Sequence, residues 1–128
     1  MAFSNYLANE ILDHVFSGNA FTAPATYYVA LYTVAPTASG GGTEVSASGT
    51  GYVRQTAAFT TTAQQSTNTS AVEFPTATAT YGTVVAAAVL DASTSGNLLA
   101  FANLTASKTI GIGDVLRIPA SDLDINLA

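Results

Sequence analysis

The chain has no cysteine, no tryptophan and a single histidine, His14. Without cysteine it can form neither disulfides nor thiolate metal sites, and its fold does not depend on the redox compartment. Charged residues make up only 9% of the sequence, and only three of them are Lys or Arg. Few side chains are therefore available for acid–base or metal chemistry. This composition argues against an enzyme and favours a structural or adhesive protein, with no catalytic residues, metal or cofactor.

Positive charge and long apolar runs are scarce as well. The net charge is −5, and the cations Arg54, Lys108 and Arg117 are scattered along the chain. Nucleic-acid binding needs a concentrated basic patch, so we expect none. A membrane-spanning helix needs about 20 apolar residues, whereas the longest apolar stretch, residues 84–90, has the length of a strand. The N-terminus lacks the basic and apolar regions of a secretory signal, so we expect assembly in a cytoplasm.

One helix is predicted, over residues 4–17. Ser4 is a suitable N-cap, with Phe3 before it, and Gly18 stands where a left-handed residue ends many helices. Apolar residues recur at helical spacing and predict an amphipathic helix that lies on an apolar surface; they are Leu7, Ile11, Leu12 and Val15.

Most of the remaining chain, residues 21–128, has the short apolar runs and turn signals of β-structure. Residues 27–33 are apolar on both faces and predict a central strand. Residues 82–90 and 98–103 predict a hairpin, and residues 108–110 and 115–118 predict a second one. Further strands are predicted at 53–62, 71–74 and 123–127, with an exposed turn at 61–70. This spacing predicts an antiparallel β-sandwich or a barrel-like domain with one N-terminal helix.

The longest predicted loop covers residues 35–51 and contains Pro36 and the run Gly40-Gly41-Gly42. The glycine run is not followed by the Lys and Ser or Thr of a phosphate-binding loop. Loops of more than about 12–15 residues are usually functional or mobile. We therefore expect this segment to be an interaction arm.

Three groups of side chains could carry chemistry, but each has a structural explanation. His14 follows Glu10 by one helical turn, which is typical of a surface pair on a helix. The run from Asp91 to Gly96 resembles the start of a calcium loop, but Ala102 stands where the loop needs its final acid, so a hairpin loop is favoured. Asp122 and Asp124 alternate along a strand and suit a solvated edge that resists aggregation better than a catalytic pair.

The tyrosines allow two interpretations, because tyrosine is frequent both in cores and at interfaces. Most of them lie in or beside predicted strands, which favours the core, but a partner or sugar surface is a real alternative. The six are Tyr6, Tyr27, Tyr28, Tyr32, Tyr52 and Tyr81.

Several segments, taken in order, resemble a family of small structural proteins of tailed bacteriophages, described as tail-fibre-like, minor tail or head-decoration proteins. The resemblance covers almost the whole chain. It rests on Leu31-Tyr32-Thr33 with Pro36-Thr37, Gly41-Gly42-Thr43-Glu44-Val45, Gly51-Tyr52-Val53-Arg54-Gln55, Phe74-Pro75-Thr76-Ala77-Thr78-Ala79, Gly96-Asn97-Leu98-Leu99 and Gly113-Asp114.

The resemblance implies a non-enzymatic virion protein whose residues 1–128 form a single accessory domain. We favour an exterior head-decoration subunit that binds the capsid lattice, because the chain has no fibrous repeat. The alternative is a tail-fibre or minor tail protein with a role in tail structure or in receptor or carbohydrate binding. Expected partners are the major capsid protein or tail proteins and further copies of the chain, as a trimer. The expected contact residues are Phe3, Tyr6, Thr43, Glu44, Val45 and Tyr52.

Overall fold

A computed structural model describes residues 1–127. It contains one helix, α1 (Asn5–Phe16). The strands are β1 (Ala2–Phe3), β2 (Tyr27–Val34), β3 (Thr43–Glu44), β4 (Gln55–Ala57), β5 (Phe59–Thr62), β6 (Gln65–Asn68), β7 (Val72–Glu73), β8 (Gly82–Leu90), β9 (Leu98–Ile110), β10 (Arg117–Ile118) and β11 (Asp124–Asn126). Residue 128, the last of the predicted domain, lies outside the described part of the chain.

The largest sheet is antiparallel, with strand order β1-β9-β8-β2-β3 and with β4 also paired to β2. Its central strands are apolar on both faces, as predicted for residues 27–33, because both faces are covered. Val29 and Leu31 of β2 point into the larger hydrophobic core. Ala30 and Tyr32 point to the opposite face, into a smaller cluster with Ala residues of β8.

Two small antiparallel sheets complete the fold, one of β10 and β7 and the other of β11, β6 and β5. The prediction of a mainly antiparallel β fold with one N-terminal helix is confirmed. Within residues 1–127 the sheets stay open, so the sandwich-like alternative applies and the closed barrel does not.

One turn prediction and one hairpin prediction were wrong. Residues 65–68, predicted as part of an exposed turn, form β6 and pair with β5, with a tight turn in which Ala63 has a positive φ of 55°. Residues 108–110 and 115–118 do not form a hairpin with each other. The first segment is the end of β9, and within the second only β10 is a strand, which pairs with β7.

Strand β9 contains a wide bulge. Its pairing with β8 joins Asn103 to Ala86 and then Lys108 to Val84, so residues 104–107 stand opposite the single residue Val85. The hairpin predicted from residues 82–90 and 98–103 is therefore confirmed, but its second strand is longer and carries this projection.

The helix begins and ends as predicted. The Ser4 hydroxyl accepts a hydrogen bond from the Leu7 amide at 3.1 Å, and Gly18 follows the helix with a φ of 72°. Its expected packing is confirmed only in part: Leu7 and Ile11 are half-buried, but Leu12 and Val15 are exposed, and no residue of α1 is fully buried. The helix is tied down at its start, where the Asn5 amide donates to the Ala38 carbonyl at 2.8 Å.

The segment 35–51 is folded back onto the sheet and is not a free arm. β3 pairs with β2, and the Val45 amide donates to the Leu31 carbonyl at 2.9 Å. Gly42 makes this return possible: a Cβ atom there would lie 2.6 Å from the Val34 carbonyl oxygen and 2.7 Å from the Pro36 nitrogen. The loop expected to act as an interaction arm is thus part of the sheet edge.

Asn68 connects the small three-stranded sheet to the chain after β10. Its side chain is buried, and its amide nitrogen donates to the carbonyls of Ser70 and Pro119 at 2.9 and 3.0 Å. Its amide oxygen accepts from the Leu123 N–H at 3.0 Å. This one side chain therefore holds the turn after β6 against the turn after β10, together with the backbone hydrogen bond from the Ser121 amide to the Asn68 carbonyl.

Candidate functional site

The expected contact residues Glu44 and Tyr52 lie at an interruption in the edge of β2. β4 pairs with residues 27–29 of that strand, and β3 pairs with Tyr32 and Val34. Between them, the Leu31 N–H donates to the Tyr52 hydroxyl at 3.0 Å. A side-chain oxygen therefore takes the place of a backbone carbonyl and satisfies a buried amide.

The Tyr52 hydroxyl in turn donates to the Glu44 carboxylate at 2.6 Å. Arg54 binds both oxygens of that carboxylate with one edge of its guanidinium group, Nε at 2.9 Å and Nη2 at 2.8 Å. Its Nη1 donates to the carbonyls of Ala92 and Ser95, both at 2.8 Å. This cluster of Glu44, Tyr52 and Arg54 joins β3, the segment before β4 and the β8–β9 loop.

The ionisation of the cluster follows from these contacts. Burial alone would raise the pKa of the Glu44 carboxyl, but the hydrogen bonds from Arg54 and Tyr52 and the Arg54 charge outweigh it and lower the pKa. The hydrogen bond to Glu44 raises the pKa of Arg54. Burial, and then the hydrogen bond to Glu44, raise the pKa of Tyr52. All three groups therefore keep one charge state at neutral pH.

Acid should weaken this cluster. Because the pKa of Glu44 is lower in the folded chain than its ordinary value of 4.5, the stabilisation is complete above that value and is lost as the pH falls through the folded pKa. We expect the free energy of unfolding of the wild type to fall more steeply than that of Glu44→Gln between about pH 5 and pH 3. Urea titrations at a series of pH values measure this, and parallel curves would contradict it.

The cluster has little capacity left for a ligand. The Arg54 side chain is 8% exposed and that of Glu44 is 26% exposed. Four of the five guanidinium N–H groups are accounted for by the bonds to Glu44, Ala92 and Ser95. The arrangement stabilises the fold. Sequence reasoning noted Arg54 as a scattered cation and within a family-like segment, but it did not connect Arg54 to Glu44.

The expected contact residues are spread over several environments. Val45 and Tyr52 are 4% and 3% exposed, so their side chains belong to the core. Thr43 is exposed, and Phe3 and Tyr6 are half-buried. Tyr6 lines a cleft of about 400 Å³ with Tyr32 and Arg54, between the start of α1 and the β8–β9 loop. That these residues touch a partner stays a prediction.

The end of α1 exposes apolar side chains, and two of them, Leu12 and Val15, were assigned to the apolar side of the helix by the sequence pattern. Leu12, Val15 and Phe16 are 56%, 60% and 80% exposed. Apolar groups clustered on a surface are typical of contact sites between proteins. The 3.6-residue period identified the apolar side of the helix, but it could not show whether the chain itself covers that side.

The other residues considered for chemistry have structural partners. Nδ1 of His14 lies 3.1 Å from the Asn19 carbonyl oxygen, just beyond the helix. The Asp91 carboxylate accepts hydrogen bonds from the backbone and the side-chain amide of Asn97, at 2.7 and 2.9 Å, which closes the β8–β9 hairpin loop. Within residues 1–127 no group of three or more His, Cys, Asp or Glu residues could hold a metal ion. Over the same residues no helix has the length and apolar character needed to cross a membrane.

Comparison with known families bears on the virion classes that the sequence resembles. The family model described as "Podophage GP4 fiber I protein gp80" matches residues 2–126. The chain belongs to this family. The family description is that of a structural protein of a tailed bacteriophage. The match confirms the suspected resemblance and places the protein in the virion. No curated protein matches the chain.

The match to the fiber I family bears on the choice made from the sequence. Head decoration was favoured because the chain lacks a fibrous repeat, but the matched family is described as a fiber. The family match supports the tail-fibre alternative better than it supports the role in head decoration. The missing repeat was a weak guide, because a fibre also needs compact domains where it attaches and where it ends.

Proposed function

We propose that the protein is a non-enzymatic subunit of a tail fibre. The observation that carries the proposal is the fiber I match over residues 2–126. The structure is consistent with it, since the most highly connected polar cluster, Glu44 with Tyr52 and Arg54, is used up in holding three segments together. Such a chain acts by shape and by its surfaces.

The proposed partners are other tail proteins and further copies of the chain. The exposed apolar end of α1, with Leu12, Val15 and Phe16, supports contact with another subunit, because leaving these side chains in water is unfavourable. The half-buried Phe3 and Tyr6 are proposed to contribute to contacts near the start of the helix, and the exposed Thr43 to contacts at the sheet edge, where it pairs with Val34. Homo-oligomerisation as a trimer, and one domain over residues 1–128, are part of the same proposal.

Immunogold labelling of intact virions tests the location. Antibody against the purified chain is expected to label a fibre on the tail, and free protein is expected to abolish the label by competition. Regular label over the head would overturn the proposal in favour of head decoration. Absence of label both from intact virions and from disrupted tails would overturn it as well.

A further inference from the structure

A groove of about 650 Å³ lies between the bulge of β9 and the chain that runs from β10 into β11. This volume is within the usual range of ligand-binding pockets, roughly 300–1,000 Å³. Its floor consists of core side chains that are already fixed by packing; they are Ala87, Leu116, Ile118 and Leu123, each at most 9% exposed. The groove therefore has an apolar floor, and the half-buried side chains of Met1 and Leu104 add apolar surface to its lining.

The rim of this groove is polar, and its side chains lack partners in the fold. Lys108 and Arg117, two of the chain's three Lys and Arg residues, line it and are exposed. Within residues 1–127 the one ion pair closer than 4.0 Å is that of Arg54 with Glu44, so neither cation is paired with a carboxylate. Arg117 stands opposite Glu73 in the β10–β7 ladder without reaching it.

Carboxylates and amides complete the rim. Asp122 and Asp124 line the same groove, as do Asn103 and Asn126. Over the described residues none of these four side chains makes a hydrogen bond to the protein, in contrast to Asp91, Asp114 and Asn68, whose side chains all bond to backbone groups. Donors and acceptors without internal partners thus converge above an apolar floor, as expected of a binding site.

The mixture of charges selects the chemistry of the ligand. Lys and Arg only donate hydrogen bonds, ionised Asp only accepts, and Asn does both. A hydroxyl group can serve all of them, since it is both donor and acceptor. An anionic ligand would meet the Asp122 and Asp124 carboxylates, on a chain whose net charge is −5. A ligand rich in hydroxyls, with C–H faces for the apolar floor, satisfies every part of the groove.

We propose that the groove binds an uncharged saccharide. The identification of this saccharide as part of the host surface rests on the proposed fibre function. Binding is through hydroxyl groups held by the amide, carboxylate and cationic side chains of the rim, while the sugar ring lies against the half-buried side chains of Met1 and Leu104. Sequence reasoning assigned Asp122 and Asp124 to a solvated edge, because the bulge of β9 that forms the other wall could not be foreseen.

The test uses the full chain and an array of oligosaccharides built from neutral hexoses, N-acetylhexosamines or hexuronates, followed by titration of the best binder. We expect a neutral oligosaccharide to bind, and the double variant Asn103→Ala/Asn126→Ala to raise its Kd about tenfold. Asn9→Ala, which removes an exposed amide on α1 away from the groove, is the matched control and should bind like the wild type.

Several results would overturn the saccharide proposal. Equal affinity of the groove variant and the wild type would place the sugar elsewhere, and selective binding of hexuronates would contradict an uncharged ligand. No binding to any neutral sugar, with virion labelling on the fibre, would remove the groove proposal and leave the fibre function standing. Neutral-sugar binding with label on the head would instead overturn the fibre function, while the groove would stand as a saccharide site.

Discussion

Arg54→Ala is expected to lower the free energy of unfolding by about 3 kcal/mol, the lower end of the range for removing one partner of a buried ion pair. The substitution leaves the Glu44 carboxylate, 26% exposed, without its counter-charge. It also removes the donor to the Ala92 and Ser95 carbonyls, so the β8–β9 loop loses its attachment to the sheet edge. Urea unfolding at pH 7, followed by circular dichroism, measures the effect.

Arg117→Ala is the matched control, because Arg117 is exposed and forms no ion pair in the described chain. Its effect should stay within about 0.5 kcal/mol. Adding Glu44→Gln to Arg54→Ala should recover part of the lost stability, since the unpaired carboxylate is then gone and the two effects are not additive. If Arg54→Ala shifted the urea midpoint no further than Arg117→Ala, the cluster would not stabilise the fold as argued.

The parts of the fold that could be predicted are those encoded by neighbouring residues. The Ser4 cap, the helical spacing of apolar residues and Gly18 predict both ends of α1 to within one helical turn. The uninterrupted apolar run of β2 reflects burial of both its faces, and the loop that begins at Asp91 joins β8 to β9. In each case the signal lies within a few residues of the structure that it specifies.

The errors arise where pairing is distant or the strand is polar. β6 consists of Gln, Ser, Thr and Asn, so it lacks the alternation of apolar and polar residues that identifies a strand. It is a strand because it pairs with β5 and β11. β10 pairs with β7, which precedes it by more than forty residues, so a local hairpin was the wrong interpretation. Local composition does not determine which distant strand completes a sheet.

The candidate sites also combine local features that could be predicted from the sequence with distant contacts that could not. Glu44 and Tyr52 were selected from the sequence, but their bonds to Arg54 and Leu31 appear only when the segment 35–51 folds back on β2. The proposed saccharide groove has the β9 bulge as one of its walls, and this bulge can be recognised only once the register between β8 and β9 is known. Residue types could be read from the sequence, whereas their partners could not.

Phe74→Ala is expected to have the largest effect on stability, about 4 kcal/mol, as is typical when a buried phenylalanine is cut back to alanine. Phe74 is 1% exposed, and its ring stacks on Tyr52 with centroids 6.0 Å apart and an interplanar angle of 10°. Tyr52 also packs edge-on against Tyr81, at 5.7 Å. The cavity would therefore open beside the side chain whose hydroxyl bridges β2 and Glu44, and the loss of packing would loosen that bridge.

Phe16→Ala is the control for Phe74→Ala. It removes the same side chain from a position that is 80% exposed, so it shows how much of the loss of stability is due to burial. In the isolated subunit its effect should stay within about 0.5 kcal/mol. Urea unfolding of both variants at several protein concentrations makes the comparison independent of assembly, since only a contribution from subunit contacts depends on concentration. A Phe74→Ala shift as small as that of Phe16→Ala at every concentration would show that the core is not organised around this aromatic stack.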